Sequence, residues 1–137
     1  MRSAARKNSS RTSTKLYWDG EDNLGTVVFD VASLEESLER ARAAFRGEPQ
    51  GSHISFASAE QLFSIMTPKR LAMVRTMAGA GPLSIREVAR RLGRDVKAVH
   101  SDVHALLRCG VLSRTREGQV IFPFNAVHVD VMIEAAA

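Results

Sequence analysis

A mainly α domain with a small β element, of the α+β class, is what this chain of 137 residues predicts, and three observations carry the prediction. Leu83 to Leu112 reads as two short amphipathic helices joined by a tight Gly-Arg turn. Val111–Arg116 and Gln119–Phe124 are rich in β-formers and are separated by Glu117-Gly118, a weaker relative of the Asn-Gly hairpin turn. Upstream, Thr67-Pro68 places a capping residue before a proline at the first helical position, which starts a further helix.

The elements follow in order. Met1–Lys15 lacks apolar periodicity and is expected to be disordered. Thr26–Val31 reads as a short strand. Ser33-Leu-Glu-Glu36 is a capping box, after which Leu34, Leu38, Ala41 and Phe45 form a narrow apolar stripe on a helix. Gly47 to Gly51 is a linker, Ile54–Phe56 is extended, and Ser58-x-x-Gln61 opens a helix carrying Leu62, Phe63, Ile65 and Met66. The Thr67-Pro68 helix has Leu71, Val74 and Met77 as its core face, with Met73 beside them, and the run Ala78–Pro82 stops it. Ser84 and Glu87 form a second capping box, and Ile85, Val88, Ala89 and Leu92 make one stripe. Gly93 suits a left-handed C-terminal cap and Asp95 the next N-cap. Val96, Val99, Val103, Leu106 and Leu107 share one face of that next helix, which Gly110 ends. Val127, Val129, Val131 and Ile133 alternate with His128, Asp130 and Met132, the pattern of a strand lying against another strand.

The chain therefore divides into a disordered basic tail at 1–16, an acidic extension at 17–53 with one amphipathic helix, and a domain at 54–137. In that domain a three-helix unit and a hairpin span about Thr67 to Phe124. Helix, turn, helix and an arginine-bearing hairpin make a winged helix-turn-helix, which points to DNA. With Val96, Val99 and Val103 facing the core, Lys97, Ala98, His100, Ser101 and His104 face outward together. Lys97 and His100 can donate to guanine acceptors, Ser101 can serve either edge role, and Ala98 can pack on a thymine methyl. Ser84, Arg86, Arg90 and Arg94 are placed to hold phosphates rather than to read bases. A second reading of Arg86 or Arg90 pairs it with Glu87 or Asp102, and Asp102 braces an arginine rather than acting as a base. The plain alternative for the outward residues is a solvated helix face.

The run TPKRLAMVRTMAGAGPLSIREVARRLGRDVKAVHSDVHALLRCGVLSR resembles the MarR-like winged helix regulators. It looks closest to a group of small bacterial and archaeal DNA-binding proteins, some of them similar to antitoxins of type II toxin–antitoxin operons. The resemblance extends to ISFASAEQLFSIM and NAVHVDVMI, so it covers roughly Ile54 to Ile133. It implies operator DNA as a partner, a wing whose Arg114 and Arg116 approach the minor groove, and a toxin protein as a further partner. The sequence departs from the family at Ser101 and His104, where related recognition helices often carry a basic or larger polar residue.

Charge is segregated along the chain. Met1–Leu16 carries five bases and no acid, Tyr17–Ser52 carries eight acids against three arginines, and His53–Ala137 has a net charge of +4, as does the whole chain. Nucleic acid at one end and a protein at the other would suit this pattern, and so would an ordinary solvated acidic segment. No apolar run approaches the roughly eighteen residues a membrane helix needs. The amino terminus has no apolar signal region. Its acid-free, Arg- and Ser-rich composition also fits an organellar transit peptide, against which its length and lack of an amphipathic face weigh. The single Cys109 suits a reducing cytoplasm.

Competing chemistry is weakly marked. His100 and His104 are one helical turn apart and Cys109 is near, the ingredients of a zinc or nickel site. The motif is incomplete, however, and helical geometry points Cys109 away from His104. No phosphate loop, nucleotide-binding glycine fingerprint or nucleophile elbow occurs, so neither an enzyme nor a cofactor is expected. The expectation is a cytoplasmic transcriptional regulator binding double-stranded operator DNA as a homodimer, an autoregulating repressor that resembles an antitoxin. Two recognition helices about 34 Å apart would meet successive major grooves. The C-terminal strand and the Leu34–Phe45 stripe are the candidate dimer surfaces. The alternative is a toxin-neutralising interaction module with little or no DNA binding, and a ligand-responsive repressor is a third possibility.

Overall fold

The structure, a computed structural model, describes residues 25–136, so the basic tail and the start of the acidic extension lie outside the described residues. The elements run β1 (Thr26–Val31), α1 (Leu34–Phe45), β2 (His53–Phe56), α2 (Ala59–Ile65), α3 (Pro68–Met77), α4 (Ile85–Leu92), α5 (Val96–Arg108), β3 (Ser113–Arg114), β4 (Val120–Ile121) and β5 (Ala126–Asp130). This is the mixed α and β architecture expected, a helical core with a small β wing, and it contains a second sheet. In that sheet β1 is central and parallel to both neighbours, in the order β2-β1-β5. Val28 pairs with His53 on one side and with His128 on the other, and Asp30 with Ser55 and Asp130.

The sheet changes the status of the acidic extension. From sequence it reads as an appendage ending at residue 53, yet its strand β1 is held between two strands of the following unit. Val27 and Phe29 are fully buried in the same cluster as Val99, Val103 and Phe122. Phe29 meets Phe56 edge to face, with ring centroids 5.7 Å apart. The 53/54 boundary therefore does not separate two packing units.

Polar contacts hold α1 to the sheet. Asp30 is buried, and its carboxylate accepts from Ser55 Oγ at 2.7 Å and from Arg40 Nη2 at 3.0 Å, with His53 Nδ1 at 2.9 Å. Arg40 Nη1 donates to Ser55 Oγ at 2.9 Å. Burial works to raise the Asp30 pKa, but the hydrogen bonds from Ser55, His53 and Arg40 outweigh it and hold the carboxyl below its ordinary value. The expected capping box of α1 is complete. Ser33 Oγ accepts the Glu36 N–H at 3.0 Å, and Glu36 Oε1 accepts the Ser33 N–H at 2.7 Å. Its apolar stripe, in contrast, faces away from the core, and the buried residue of α1 is Ala43.

In α3 the buried face is Met73, Val74 and Met77, while Leu71, expected in that face, is exposed. The wing is shorter than its β-former runs suggested, because only Ser113–Ile121 and Arg114–Val120 pair as strands. The Thr115 N–H donates to Gln119 O at 2.8 Å and the Gly118 N–H to Thr115 O at 3.0 Å. The connection is thus the three residues Arg116 to Gly118, with Gly118 at φ +86°, rather than the two-residue turn expected. Leu83 and Val120 exchange both backbone hydrogen bonds at 2.8 Å, so one residue just ahead of α4 adds a third strand to the wing.

Candidate nucleic-acid interface

Local capping sets the angle between α4 and α5. Ser84 Oγ accepts the Glu87 N–H at 3.0 Å to start α4. Gly93 ends it in the left-handed conformation, φ +65° and ψ +34°, which costs any other L residue about 1–2 kcal/mol. Asp95 then accepts the Lys97 and Ala98 N–H groups at 3.0 and 3.2 Å and launches α5. These caps stand where the sequence places them. Ser84 follows Leu83, the residue paired to the wing, so the first turn of α4 and the root of the wing are held together.

The rotation of α5 is fixed by Val99, Val103 and Leu106, all fully buried. At 3.6 residues per turn, Lys97, Ser101, His104 and Arg108 then fall on the opposite side. Lys97, Ala98, His100 and Ser101 are exposed, and His104 is half-buried. The His100 and His104 rings lie 4.1 Å apart, centroid to centroid, and His104 Nδ1 is 3.0 Å from the His100 carbonyl oxygen. Val96 is exposed beside Lys97, a correction to its expected place in the core. It sits in the first turn, before the buried stripe reaches the core, and adds an apolar group to this face.

The basic residues divide into two sets. Arg90 Nε and Nη2 both donate to the Glu87 carboxylate, and Arg91 Nε donates to Glu87 Oε2 at 2.7 Å. These bonds, Arg90's first, pull the Glu87 pKa down to about 2. The carboxylate is therefore turned toward the arginines, and the Ser84 capping box forms only in its hydroxyl half. Arg94 corrects a second expectation. It is 20% exposed, and its Nη2 donates to Asp102 Oδ2 at 3.0 Å. Arg70 Nε donates to Asp102 Oδ1 at 3.0 Å and Arg70 Nη1 to the Ile65 carbonyl at 3.0 Å. Arg94 Nη1 is buried without a hydrogen-bond partner. The Arg94 guanidinium is thus committed to the fold and is not a free phosphate ligand. Arg90 remains largely exposed but shares its charge with Glu87.

Arg86, Lys97, Arg114 and Arg116 make no ion pair among the described residues, and neither do Lys69, Arg75 and Arg108. The described arginines ahead of these, Arg40, Arg42 and Arg46, are all paired, as is Arg70. Among the described residues, unpaired Lys and Arg charge is therefore confined to 69–116, the stretch from α3 to the wing. Arg114 lies on β3 opposite Val120, and Arg116 is exposed in the loop at the wing tip. Arg108, which the sequence places on this outward face though not among the DNA-contacting residues, lies seven residues on from Ser101 and is exposed two turns along.

Among the described residues no group of three or more His, Cys, Asp and Glu side chains is arranged to hold a metal ion. Cys109 Sγ lies 3.5 Å from the Leu106 carbonyl oxygen, away from the two histidines. No helix among these residues is long and apolar enough to cross a membrane.

A family model described as HVO_A0114 matches residues 65–129, which takes in α3, α4, α5, the wing and all but the last residue of β5. No curated protein and no solved structure matches the chain.

Proposed function

We propose that this protein is a sequence-specific DNA-binding transcription regulator, a homodimeric, cytoplasmic repressor of its own operon, with α5 as the helix that reads the major groove. One observation carries the reading. On a helix whose other face is sealed by Val99, Val103 and Leu106, the side chains of Lys97 and Ser101 stand exposed with no polar partner among the described residues, flanked by Ala98 and His100. Lys97 and His100 are the groups for guanine O6 and N7, and Ala98 and Val96 for a thymine methyl. Arg86 and Arg116, unpaired and exposed, are the phosphate ligands, with Arg114 beside them on the wing.

A second reading is a protein-interaction module, as in an antitoxin that neutralises its toxin. The exposed stripe Leu34, Leu38 and Phe45 favours it, because an apolar helix face in water asks for a partner. Fluorescence anisotropy against the protein's own upstream region and a scrambled duplex, at two salt concentrations, tests the first reading. Tighter binding to the native duplex is expected, with log affinity falling by about 0.9 per log unit of salt for each phosphate neutralised. Equal, weak binding to both duplexes would overturn it. Co-expression and pull-down with the neighbouring gene product tests the second.

A further inference from the structure

We propose that α1 is the dimerisation helix, pairing antiparallel with α1 of a second copy of this chain along Leu34, Leu38, Ala41 and Phe45. The inference deepens the homodimeric part of the reading above and does not depend on DNA binding.

Among the described residues nothing covers the stripe. Leu34 is 75% exposed, Leu38 45% and Phe45 88%, while α1 meets its own sheet through Arg40 and buries Ala43 on another side. Steps of four, three and four residues make the stripe the narrow seam of a two-helix coiled coil, rather than the wider face of a helix laid on a globular core.

What seats on the seam follows from its own symmetry. About a two-fold axis between Glu39 and Arg40, an antiparallel copy sets Leu34 against the partner's Phe45 and Leu38 against the partner's Ala41. Each layer then joins a larger and a smaller side chain. The same register brings Glu35 diagonally across from the partner's Arg42, twice per dimer. Acids cluster in the first half of α1, at Glu35, Glu36 and Glu39, and Arg42 and Arg46 follow in and just past the second half. An antiparallel copy matches these halves, whereas a parallel copy sets like beside like. A partner of a single charge sign meets attraction at one end of the seam and repulsion at the other. A patch that complements itself under a two-fold is the signature of an isologous interface. Twelve residues give a seam of about 18 Å. That falls short of the roughly 800 Å² per partner of a standard interface, so the dimer is concentration-dependent.

Sedimentation velocity of the full chain without DNA, across a concentration series, reads the association. A monomer–dimer equilibrium is expected. Leu38→Glu should abolish it and, at concentrations where the parent is monomeric, leave the thermal midpoint unchanged, because Leu38 is half in water in the single chain. Glu35→Arg should weaken the dimer about tenfold and Glu35→Arg with Arg42→Glu should restore it. Register is read by cysteines in a Cys109→Ser background. Oxidising a mixture of Leu38→Cys chains and Ala41→Cys chains should give a cross-linked dimer that neither variant gives alone. A monomer at every concentration, a dimer indifferent to Leu38→Glu, or cross-linking of Leu38→Cys with itself overturns the proposal. A dimer with this register that binds no DNA overturns the regulator reading and leaves this one standing.

Discussion

Arg94 Nη2 lies 3.0 Å from Asp102 Oδ2, so the turn between α4 and α5 is pinned to α5 by an ion pair. Arg70 of α3 takes the other carboxylate oxygen at 3.0 Å, and the three residues join α3, α5 and the turn that follows α4. The pair is largely shielded from water, so losing one partner strands a charge. Arg94→Ala or Asp102→Ala should each cost about 2–3 kcal/mol, less than a fully buried pair because both side chains keep some exposure. Urea midpoints of the two single variants and the double variant measure this, and the double should cost less than the sum of the singles. Arg94→Ala should leave the salt slope of DNA binding unchanged; a slope reduced by about one would restore Arg94 to the phosphate contacts.

The exposed basic residues of α4, α5 and the wing should divide by what they touch. Lys97→Ala should cost about 1–3 kcal/mol on the native operator and relax preference at one base position. Arg86→Ala and Arg116→Ala should weaken native and scrambled duplexes alike, each lowering the salt slope by about one. Anisotropy titrations of each variant on both duplexes separate the two behaviours. A Lys97 variant that loses affinity equally on both duplexes would remove it from base reading.

What the sequence made legible here is local. Ser33, Ser84, Asp95 and Gly93 act within four residues of themselves, and each sits in the cap that its type and spacing predicted. What escaped depends on contacts distant in sequence or on competing partners. The place of β1 between β2 and β5 is set by pairing with Ala126–Asp130, about a hundred residues away, which no short-range pattern records. Met73 and Leu71 are both apolar and both fit a helical period loosely, and only the position of the neighbouring elements decides that Met73 is buried. Arg94 looked like a phosphate ligand because Asp102, one of three acids in the helix-turn-helix, faces it only once α5 is coiled. Glu87 had two possible tasks, and the two arginines on its own helix won its carboxylate from the Ser84 N–H.

The shared core makes a prediction about Phe29, which lies far in sequence from the winged helix. Phe29 is fully buried against Phe56 and belongs to the cluster that contains Val99 and Phe122. Phe29→Ala should therefore cost about 3–5 kcal/mol and lower the midpoint of the single helical transition followed by far-ultraviolet dichroism. If the amino-terminal part were an independent appendage, the helical transition would keep its wild-type midpoint.

Acid should act on three carboxylates at once. Asp30, Asp102 and Glu87 all have folded-state pKa values below their ordinary ones, Glu87 at about 2. For Asp102 burial works upward, and the hydrogen bonds from Arg70 and Arg94 outweigh it. As pH falls, the unfolded chain takes up these protons before the folded one, so the stabilisation is fully present above the ordinary values of 3.8 and 4.5 and is lost below them. Urea midpoints should be flat with pH down to about 5 and fall steeply between about 4.5 and 2. Asp30→Asn should be less stable than the parent at neutral pH, since it deprives Arg40 and His53 of their anion, yet its midpoint should fall less over the acid range. An acid slope identical to the parent's would mean that Asp30 binds protons equally in both states, and that the hydrogen bonds from Ser55, His53 and Arg40 do not favour its charged form.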